Sequence, residues 1–335
     1  VLKKEKDTDR VLEGAVFALS AKEDITNKDG DVVLEAGTVI EEKATGEDGK
    51  LTFEADLPIG FSYVVKETSP APGFATTDEV QEFTFTAESS DKATVSYEFI
   101  FEDEPTVFEF TKTSLTDGKE VEGAKLTVTD ENGEVVDEWV SGKEPHIIKE
   151  LVVGQTYTMT EVLPAPGYVT AESIQFTVED TAEVQKIEMK DDVTKVEISK
   201  TDIAGKELPG AKLTILDENG EVVEIWTSTE EPHYIEMLPI GKYTLHEESA
   251  PEGYLIAEDV EFEVKDTGEI QKVVMKDEAE PEETPETPET PTTTVDAPKT
   301  GDHTPIAALM ISSGLGLAGV IAAVVWMKAR KKKQD

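Results

Sequence analysis

Short segments of alternating apolar and polar residues recur along the first 278 positions of the chain. One of them is Lys212-Leu-Thr-Ile-Leu216. Alternation with a period of two is typical of a β-strand that turns one face to the core. Asn132-Gly133 and Asn219-Gly220 lie between such segments, and Asn-Gly pairs favour tight hairpin turns. No long segment with a helical period precedes the C-terminal region, so the pattern predicts an all-β fold.

Three sequence signatures repeat in the same order along this region. The first is a strand followed by Leu/Val-x-Gly-Ala, the second is a strand ending in Glu before Pro-x-Gly-aromatic, and the third is a strand ending in Asp. Consecutive units are roughly 90 residues apart, which is the size of a small β-sandwich. We predict three tandem immunoglobulin-like β-sandwiches, with an insertion at about residues 21–45 of the first. Their predicted ranges are 1–104, 105–193 and 194–278.

The composition excludes one class of partner and one kind of crosslink. The chain has 73 acidic and 31 basic residues, and its formal net charge is −42. Such a chain repels phosphate backbones, so we expect no nucleic-acid binding. Cysteine is absent, so any covalent crosslink must use chemistry other than a disulfide. The sequence does not begin with Met, and we expect a secretion signal in a longer precursor.

One lysine, one glutamate and one aspartate extend an apolar strand face in every unit. These residues are Lys3, Glu67 and Asp103 in the first unit, Lys112, Glu161 and Asp191 in the second, and Lys200, Glu247 and Asp277 in the third. Burial disfavours the charged forms of amines and carboxyl groups. A neutral amine is a nucleophile, a protonated carboxyl is an acceptor that releases water, and a second carboxyl can move the proton. Held in contact, the three groups could form an intramolecular amide.

Two interpretations of these residues remain open on spacing alone. In the first, each lysine forms a salt bridge near the strand ends, where side chains emerge into water. In the second, the amine and the aspartate carboxyl condense in a dry core, with most of the acceleration coming from positioning. The threefold recurrence of the set favours a specific role without deciding between the two.

The units resemble the collagen-adhesin B-type and SpaA-type prealbumin-like domains of Gram-positive pilins and adhesins. The residues that carry the resemblance in the third unit are Lys200, Leu208-x-Gly210-Ala211, Tyr243-x-x-x-Glu247, Pro251-x-Gly253-Tyr254 and Met275-x-Asp277. The resemblance implies a spontaneous isopeptide bond from a first-strand lysine to a last-strand Asn or Asp, promoted by the glutamate. The implied pairs are Lys3–Asp103 with Glu67, Lys112–Asp191 with Glu161, and Lys200–Asp277 with Glu247.

This chain has Asp where many members of that family have Asn, so the leaving group would be water rather than ammonia. In the first unit, Lys4 and Lys6 compete with Lys3 for the role of nucleophile. The choice of Lys3 rests on its spacing to Leu12, which equals the spacing from Lys112 to Val121.

The C-terminal region changes composition and carries a second set of signals. Residues 279–304 are rich in Glu, Pro and Thr and predict a disordered, extended spacer. Residues 305–327 are uncharged and mostly apolar, long enough for a transmembrane helix, and the basic tail at 328–335 predicts a cytoplasmic end. An ordinary single-span anchor is one interpretation of this pattern.

The alternative comes from the motif that precedes the apolar segment. Ala297-Pro298-Lys299-Thr300-Gly301 resembles the LPxTG sortase signal, with Ala297 in place of Leu. The resemblance implies that sortase cleaves between Thr300 and Gly301 and joins the Thr300 carboxyl to peptidoglycan. The Ala leaves the sortase class open.

The remaining signals are interpreted structurally. His146 and His233 lie in a repeated Glu-Pro-His sequence without zinc-ligand spacing, which favours solvated loops. Trp139 and Trp226 follow the Asn-Gly turns at matching places, which favours packing in the sandwich. We expect no metal site, no cofactor and no turnover enzyme in this chain.

The sequence therefore predicts a secreted, cell-wall-anchored structural stalk or pilin-related surface protein whose partners are sortase and peptidoglycan. Two rivals are a pilin subunit polymerised by sortase onto other pilins and an adhesin that binds host matrix proteins. No Tyr-Pro-Lys type motif for a pilin linkage occurs in the chain. An extracellular enzyme would need a catalytic domain in a longer precursor.

Overall fold

The computed structural model describes residues 1–86 and 95–281 of the chain, and in these two ranges the secondary structure consists of β-strands. The described part contains no helix with the length and apolar character needed to cross a bilayer. The first residues of the predicted spacer belong to the third domain instead, because Ala279 forms a β-bridge with Tyr254 and the Glu280 N–H donates to the Gly253 carbonyl. The spacer from residue 282 onward, the sorting motif and the transmembrane segment at 305–327 lie outside the described residues. The all-β prediction is confirmed for the part of the chain that is described.

The first domain has its strands in two facing sheets and one small hairpin. The strands are β1 (Leu2–Glu5), β2 (Val16–Ala21), β3 (Ile25–Thr26), β4 (Val32–Leu34), β5 (Val39–Ala44), β6 (Ser62–Ser69), β7 (Val80–Thr84) and β8 (Ile100–Asp103). One sheet has the order β5-β2-β6-β7, and the other pairs β1 with β8. The β3–β4 hairpin lies within the segment where the sequence predicts an insertion.

The second domain has a four-stranded and a three-stranded sheet. Its strands are β9 (Val107–Ser114), β10 (Lys125–Thr129), β11 (Val135–Val140), β12 (His146–Lys149), β13 (Thr156–Leu163), β14 (Ile174–Thr177) and β15 (Val184–Asp191). The sheet orders are β11-β10-β13-β14 and β12-β9-β15. The Asn132-Gly133 turn connects β10 to β11, as its sequence predicts.

The third domain repeats this arrangement strand for strand. Its strands are β16 (Lys195–Asp202), β17 (Lys212–Asp217), β18 (Val222–Thr227), β19 (His233–Glu236), β20 (Gly241–Ser249), β21 (Val260–Val264) and β22 (Ile270–Asp277). The sheet orders are β18-β17-β20-β21 and β19-β16-β22. The sequence repeat therefore corresponds to a repeat of the fold.

In each domain the first and last strands are parallel neighbours, whereas the other pairings within the sheets are antiparallel. The parallel pairs are β1 with β8, β9 with β15, and β16 with β22. In the second domain Lys112 lies opposite Met189, and Asp191 lies opposite Ser114. The lysine and the aspartate are thus two residues out of register, which places both on the same face of the sheet.

Each domain encloses its own apolar core between its two sheets. In the second domain the core includes Phe108, Phe110, Leu126 and Met159, all at most 2% exposed. Burial of each such side chain contributes about 1.5–3 kcal/mol. The core therefore fixes the relative position of the sheets, and with it the position of every inward-facing residue.

The structure corrects the assignment of the two histidine segments. His146 begins β12 and His233 begins β19, so neither lies in a solvated loop. Each ring is half-buried and stacks on a tryptophan, with centroid distances of 4.3 Å to Trp139 and 4.5 Å to Trp226. Each histidine segment is a strand because it pairs with the first strand of its domain. Such pairing between distant segments cannot be predicted from the local sequence.

Candidate functional site

Each domain contains one lysine, one aspartate and one glutamate in mutual contact between its two sheets. The side chains of these residues are 0–1% exposed in all three domains. The sets are Lys3, Asp103 and Glu67, then Lys112, Asp191 and Glu161, then Lys200, Asp277 and Glu247. The structure thus brings together the three residue types that the strand pattern assigns to the core.

The lysine Nζ contacts both carboxyl groups in every domain. It donates a hydrogen bond to Oδ1 of the aspartate across the parallel strand pair. It also lies near Oε1 of the glutamate, at 3.0 Å from Glu67, 3.1 Å from Glu161 and 2.9 Å from Glu247. The amine is therefore placed between two carboxyl groups that come from opposite sheets.

Strand geometry explains why the three side chains meet. The lysine is on the first strand, the aspartate is the last residue of the last strand, and these two strands are neighbours in one sheet. The glutamate is on the third strand of the facing four-stranded sheet, which is β6, β13 or β20. Inward-facing positions on both sheets converge at one end of the sandwich.

The backbone around the lysine is held in the same way in all three domains. The lysine carbonyl accepts a hydrogen bond from Leu12 at 3.0 Å in the first domain, from Val121 at 2.7 Å in the second and from Leu208 at 2.8 Å in the third. Lys4 is instead directed toward Asp9, and Lys6 pairs with Glu104 at the surface. Of the three candidate lysines in the first domain, Lys3 is the one that reaches the buried carboxyl groups.

Apolar side chains seal each set from water. In the first domain these include Phe17 and Phe101, and Lys3 Nζ lies 5.4 Å from the centroid of the Phe17 ring. Leu126 with Met189 and Leu213 with Met275 take these places in the other two domains, each at most 1% exposed. A dry environment strengthens electrostatic contacts and makes an uncompensated charge costly.

A backbone donor that sequence reasoning missed orients each glutamate. Oε2 of Glu67 accepts a hydrogen bond from the Thr77 N–H at 2.9 Å, and the same contact joins Glu161 to Ala171 at 2.6 Å. The Ala257 N–H provides it for Glu247 at 2.7 Å. The donor always lies ten residues after the glutamate, beyond the turn that contains Gly followed by an aromatic residue. That constant spacing is the one sequence signal that could have identified it.

Burial raises the pKa of each aspartate above that of an exposed carboxyl. Desolvation is the largest cause, and the negative charge of the neighbouring glutamate adds to it, while the lysine opposes both. The pKa of Asp103 rises to about 7 and that of Asp191 to about 6. The pKa of Asp277 is raised for the same reasons. These carboxyls are therefore easier to protonate than an exposed aspartate.

The hydrogen bonding of the carboxyl oxygens also favours a shared proton. Within the described part of the chain, Oε1 of each glutamate and Oδ2 of each aspartate are buried and accept no hydrogen bond. Oε1 still has the lysine Nζ as an ion-pair partner at 2.9–3.1 Å, whereas a buried polar atom without a partner, such as Oδ2, costs about 1–3 kcal/mol. A proton held between the two carboxyl groups would supply a donor in a place where water is excluded. The arrangement is thus suited to moving a proton between an amine and two carboxyls.

One set of predicted residues is not placed by the structure. The sorting-signal residues Ala297, Pro298, Lys299, Thr300 and Gly301 lie outside the described residues. Within residues 1–86 and 95–281, no group of three or more His, Asp or Glu side chains is arranged to hold a metal ion.

Comparison with protein-family models gives one match. The model described as SpaA, prealbumin-like fold domain, matches residues 1–98, 106–193 and 194–279. The search of curated proteins gave no match.

Solved structures similar to this chain include three bacterial proteins. The Bacillus anthracis TIE protein is 28% identical, with 82% of this chain and 50% of that chain covered and a TM-score of 0.43. BcpA, the major pilin subunit of Bacillus cereus, is 14% identical, with 83% and 98% covered and a TM-score of 0.33. The shaft pilin SpaA from Lactobacillus rhamnosus GG is 12% identical, with 52% and 98% covered and a TM-score of 0.27. The chain thus spans about half the length of the Bacillus anthracis chain that it matches.

Proposed function

Because this chain belongs to the SpaA family of prealbumin-like fold domains, we propose that it is a structural protein of the Gram-positive cell surface. Each of its three domains closes one Lys–Asp isopeptide bond, and the chain is attached to the cell wall through Thr300. The single observation that carries the proposal is the buried lysine, aspartate and glutamate set, which recurs with the same contacts in all three domains.

The proposed reaction joins the lysine amine to the aspartate carboxyl within one domain. A proton passes from the ammonium to the carboxyl groups, which converts an ion pair into neutral groups that the dry core favours. The neutral Nζ attacks Cγ of the protonated aspartate, and the glutamate accepts a proton from Nζ and returns it to the departing hydroxyl. The C–N bond forms, one C–O bond breaks, and one water leaves. No oxidant, metal or cofactor is consumed.

Positioning supplies most of the acceleration for this reaction. The amine is already in contact with the carboxyl, and fixed geometry of this kind is equivalent to effective concentrations of about 10⁵–10⁸ M. The exclusion of water also opposes hydrolysis of the product. Each set reacts once per molecule, so the chain is a self-crosslinking protein rather than a turnover enzyme.

The bonds would change the response of each domain to tension and to unfolding. A pull on the two ends of a domain shears its first strand against its last, and a bond between these strands carries that load covalently. The crosslink also restricts the unfolded chain. The loops closed span 100, 79 and 77 residues, for which a crosslink stabilises by about 4–5 kcal/mol.

Wall attachment is proposed from the C-terminal sequence alone. The predicted spacer, which follows the third domain and ends at residue 304, separates the domains from the membrane. Residues 305–327 hold the precursor in the membrane, and 328–335 remain in the cytoplasm while sortase acts at 297–301. The domain boundaries at 1–104, 105–193 and 194–278 are proposed with it. The mature protein would then be secreted and joined covalently to peptidoglycan.

A sortase-polymerised pilin subunit is the second candidate function. The SpaA family to which the chain belongs comprises prealbumin-like pilin domains, and the similar structures include major and shaft pilins. Polymerisation would join Thr300 of one copy to a lysine of another. Wall extracts would then show a ladder of high-molecular-weight species on denaturing gels, whereas wall attachment alone predicts a single species.

Intact mass spectrometry of the recombinant full chain tests the crosslinks. We expect the mass to be lower than the sequence mass by three waters. The mass of Lys200→Ala should be lower than its own sequence mass by only two waters. Lys276→Ala changes an exposed lysine on the last strand of the same domain, and its mass should still be lower by three waters. An unshifted mass for the unsubstituted chain would leave only the salt-bridge interpretation.

The attachment site is tested on protein released from the wall by digestion of the peptidoglycan. The expected C-terminal peptide ends at Thr300 and carries a peptidoglycan amine. Recovery of an intact chain that still includes residues 301–335 would contradict sortase processing and favour the ordinary single-span anchor.

A further inference from the structure

In the first and second domains, the loop that orients the glutamate also touches the following domain. In the first domain this loop runs from the Pro72-Gly73-Phe74 turn to Thr77, whose N–H holds Glu67. The residue just before it, Thr76, is bound by Asp180 of the second domain. The Thr76 N–H donates to Asp180 Oδ1 at 2.7 Å, and the Thr76 hydroxyl donates to Oδ2 at 2.7 Å.

The second and third domains are joined by an equivalent contact. The Thr170 N–H donates to Asp266 Oδ1 at 2.8 Å, and the next residue, Ala171, holds Glu161. Asp180 and Asp266 both lie on the turn before the last strand of their own domain, in matching Asp-Thr sequences. At both junctions, one residue binds the aspartate of the following domain and the next residue binds the glutamate of its own domain.

A second contact covers the glycine of the same loop. The Gly73 carbonyl accepts a hydrogen bond from the Thr106 N–H at 3.0 Å, and a Cβ on Gly73 would lie 2.8 Å from Glu150. The second junction repeats this geometry with Gly167, Thr194 and Met237. Glu150 and Met237 both have positive φ, at 63° and 62°, which is uncommon for residues other than glycine. Both junctions therefore hold the loop closely.

The third domain keeps only one of these contacts among the described residues. The Gly253 carbonyl accepts a hydrogen bond from the Glu280 N–H at 2.9 Å, and the contacts to a following domain are missing. Its glutamate is held by the Ala257 N–H in the same way, but Ile256 takes the place of Thr76 and Thr170 and is 60% exposed. Gly253 is exposed, and a Cβ there would meet no atom within 4 Å. The backbone hydrogen bond that orients the glutamate is thus present in all three domains. The following domain contacts the loop that donates it in two of them.

We propose that Asp180 and Asp266 are positioning residues for isopeptide formation in the domain that precedes each of them. This inference rests on the proposed function. Docking of the second domain fixes Thr76, and so fixes the N–H of Thr77 that aims Glu67 at Lys3. A loose loop would leave Glu67 in several orientations, and misplacement of a proton-transfer group by about 1 Å costs up to about 100-fold in rate. Bond formation in one domain is therefore faster once the next domain has folded.

The test follows crosslink formation in each domain separately. The full chain is synthesised in a cell-free system with mild detergent, sampled over time, quenched in urea and digested, and the branched peptide from each domain is quantified. We expect Asp180→Ala to slow the first domain about tenfold and to leave the second and third domains unchanged. Asp266→Ala should slow the second domain alone.

Two further variants separate positioning from folding effects. Asp180→Asn keeps an acceptor for the Thr76 N–H and should restore the rate of the first domain. Glu179→Ala removes an adjacent exposed acid and should change none of the three rates. Unchanged kinetics of the first domain in Asp180→Ala would overturn the inference, and so would slowing of the second domain, where Asp180 itself resides.

Failure of the underlying proposal gives a different result. If the unsubstituted chain forms no branched peptide in any domain, the isopeptide proposal is wrong and the positioning role falls with it. If the unsubstituted chain forms all three and Asp180→Ala forms them at the same rates, only the positioning role is wrong.

Discussion

At the scale of single residues, the energetic question is why an amine and two carboxyls are tolerated in a dry core. A buried charge set is costly unless its members are paired, and in each domain two carboxyl oxygens accept no hydrogen bond. Condensation removes both problems, because an amide is neutral and the remaining glutamate can hold a proton against its carbonyl. The unreacted set therefore lowers the stability of the domain, and this cost can be measured when the reaction is blocked.

A variant without the amine should show this cost as a pH-dependent stability. Lys112→Met removes the nucleophile and keeps an unbranched apolar side chain. The pKa of Asp191, already raised to about 6 by desolvation, should rise further because Lys112 lowers it in the native set. A pKa higher in the folded than in the unfolded state means that the folded domain binds more protons. The free energy of unfolding of the second domain should therefore be greatest below about pH 4 and fall as pH rises through about 6 and above.

The measurement is urea unfolding of the second domain at a series of pH values. Lys112→Met/Asp191→Asn is the matched control, since it shares the acidic surface and the lost amine but lacks the titrating aspartate. The control should show a weaker fall in stability over the same pH range. Equal pH dependence in the two variants would mean that Asp191 does not titrate as its burial requires.

At the scale of strands and turns, much of this site follows from the sequence. The period of two assigns Lys112, Glu161 and Asp191 to inward faces, and the structure places all three there. What the local pattern does not contain is the pairing between distant strands. The parallel neighbours β9 and β15 bring Lys112 to Asp191, and their offset of two residues is set by the whole sandwich.

Contacts between domains were missed for the same reason. Gly73 and Glu150 are adjacent in space but lie in different repeats, and no periodicity links them. The histidine segments illustrate the opposite error, because Glu-Pro-His has the composition of a loop while pairing with β9 and β16 makes each segment a strand. Sequence periodicity predicts which face a residue occupies, and tertiary pairing decides which residues it meets.

The junction between the second and third domains yields a prediction at this scale. Gly167 has a φ of 86°, and a Cβ there would lie 2.5 Å from the Met237 carbonyl oxygen. Gly253 has nearly the same φ, 82°, in open space. Both Gly→Ala changes incur about 1–2 kcal/mol of left-handed backbone strain, but only Gly167→Ala must also open the junction.

Hydrogen exchange of backbone amides distinguishes the two variants. The Thr194 N–H donates to the Gly167 carbonyl and the Met237 N–H donates to the Thr194 carbonyl, each at 3.0 Å. We expect both amides to exchange faster in Gly167→Ala and to be unchanged in Gly253→Ala. Equal exchange rates of these amides in the two variants would show that the junction accommodates the added methyl group without losing its hydrogen bonds.

At the scale of the whole molecule, three closed bonds would define a short covalent path for tension. The path would run from Lys3 to Asp103, through residues 104–112, from Lys112 to Asp191, through residues 192–200, and from Lys200 to Asp277. The segments 4–102, 113–190 and 201–276 would carry no load. Thr106 and Thr194 lie on this path, so their hydrogen bonds to the Gly73 and Gly167 carbonyls would be the first noncovalent contacts between domains to bear force.

Stretching single molecules between their two ends measures this path directly. With all bonds closed, we expect no unfolding extension from any of the three domains before the tether breaks. Lys112→Met should release one step of about 270 Å, since 79 residues separate Lys112 from Asp191 and an extended chain spans about 3.4 Å per residue. Lys3→Met should release about 340 Å over its 100 residues, by the same calculation. Because the two lengths differ, each step identifies its domain, and three unfolding steps in the unsubstituted chain would show that noncovalent contacts alone hold the domains closed.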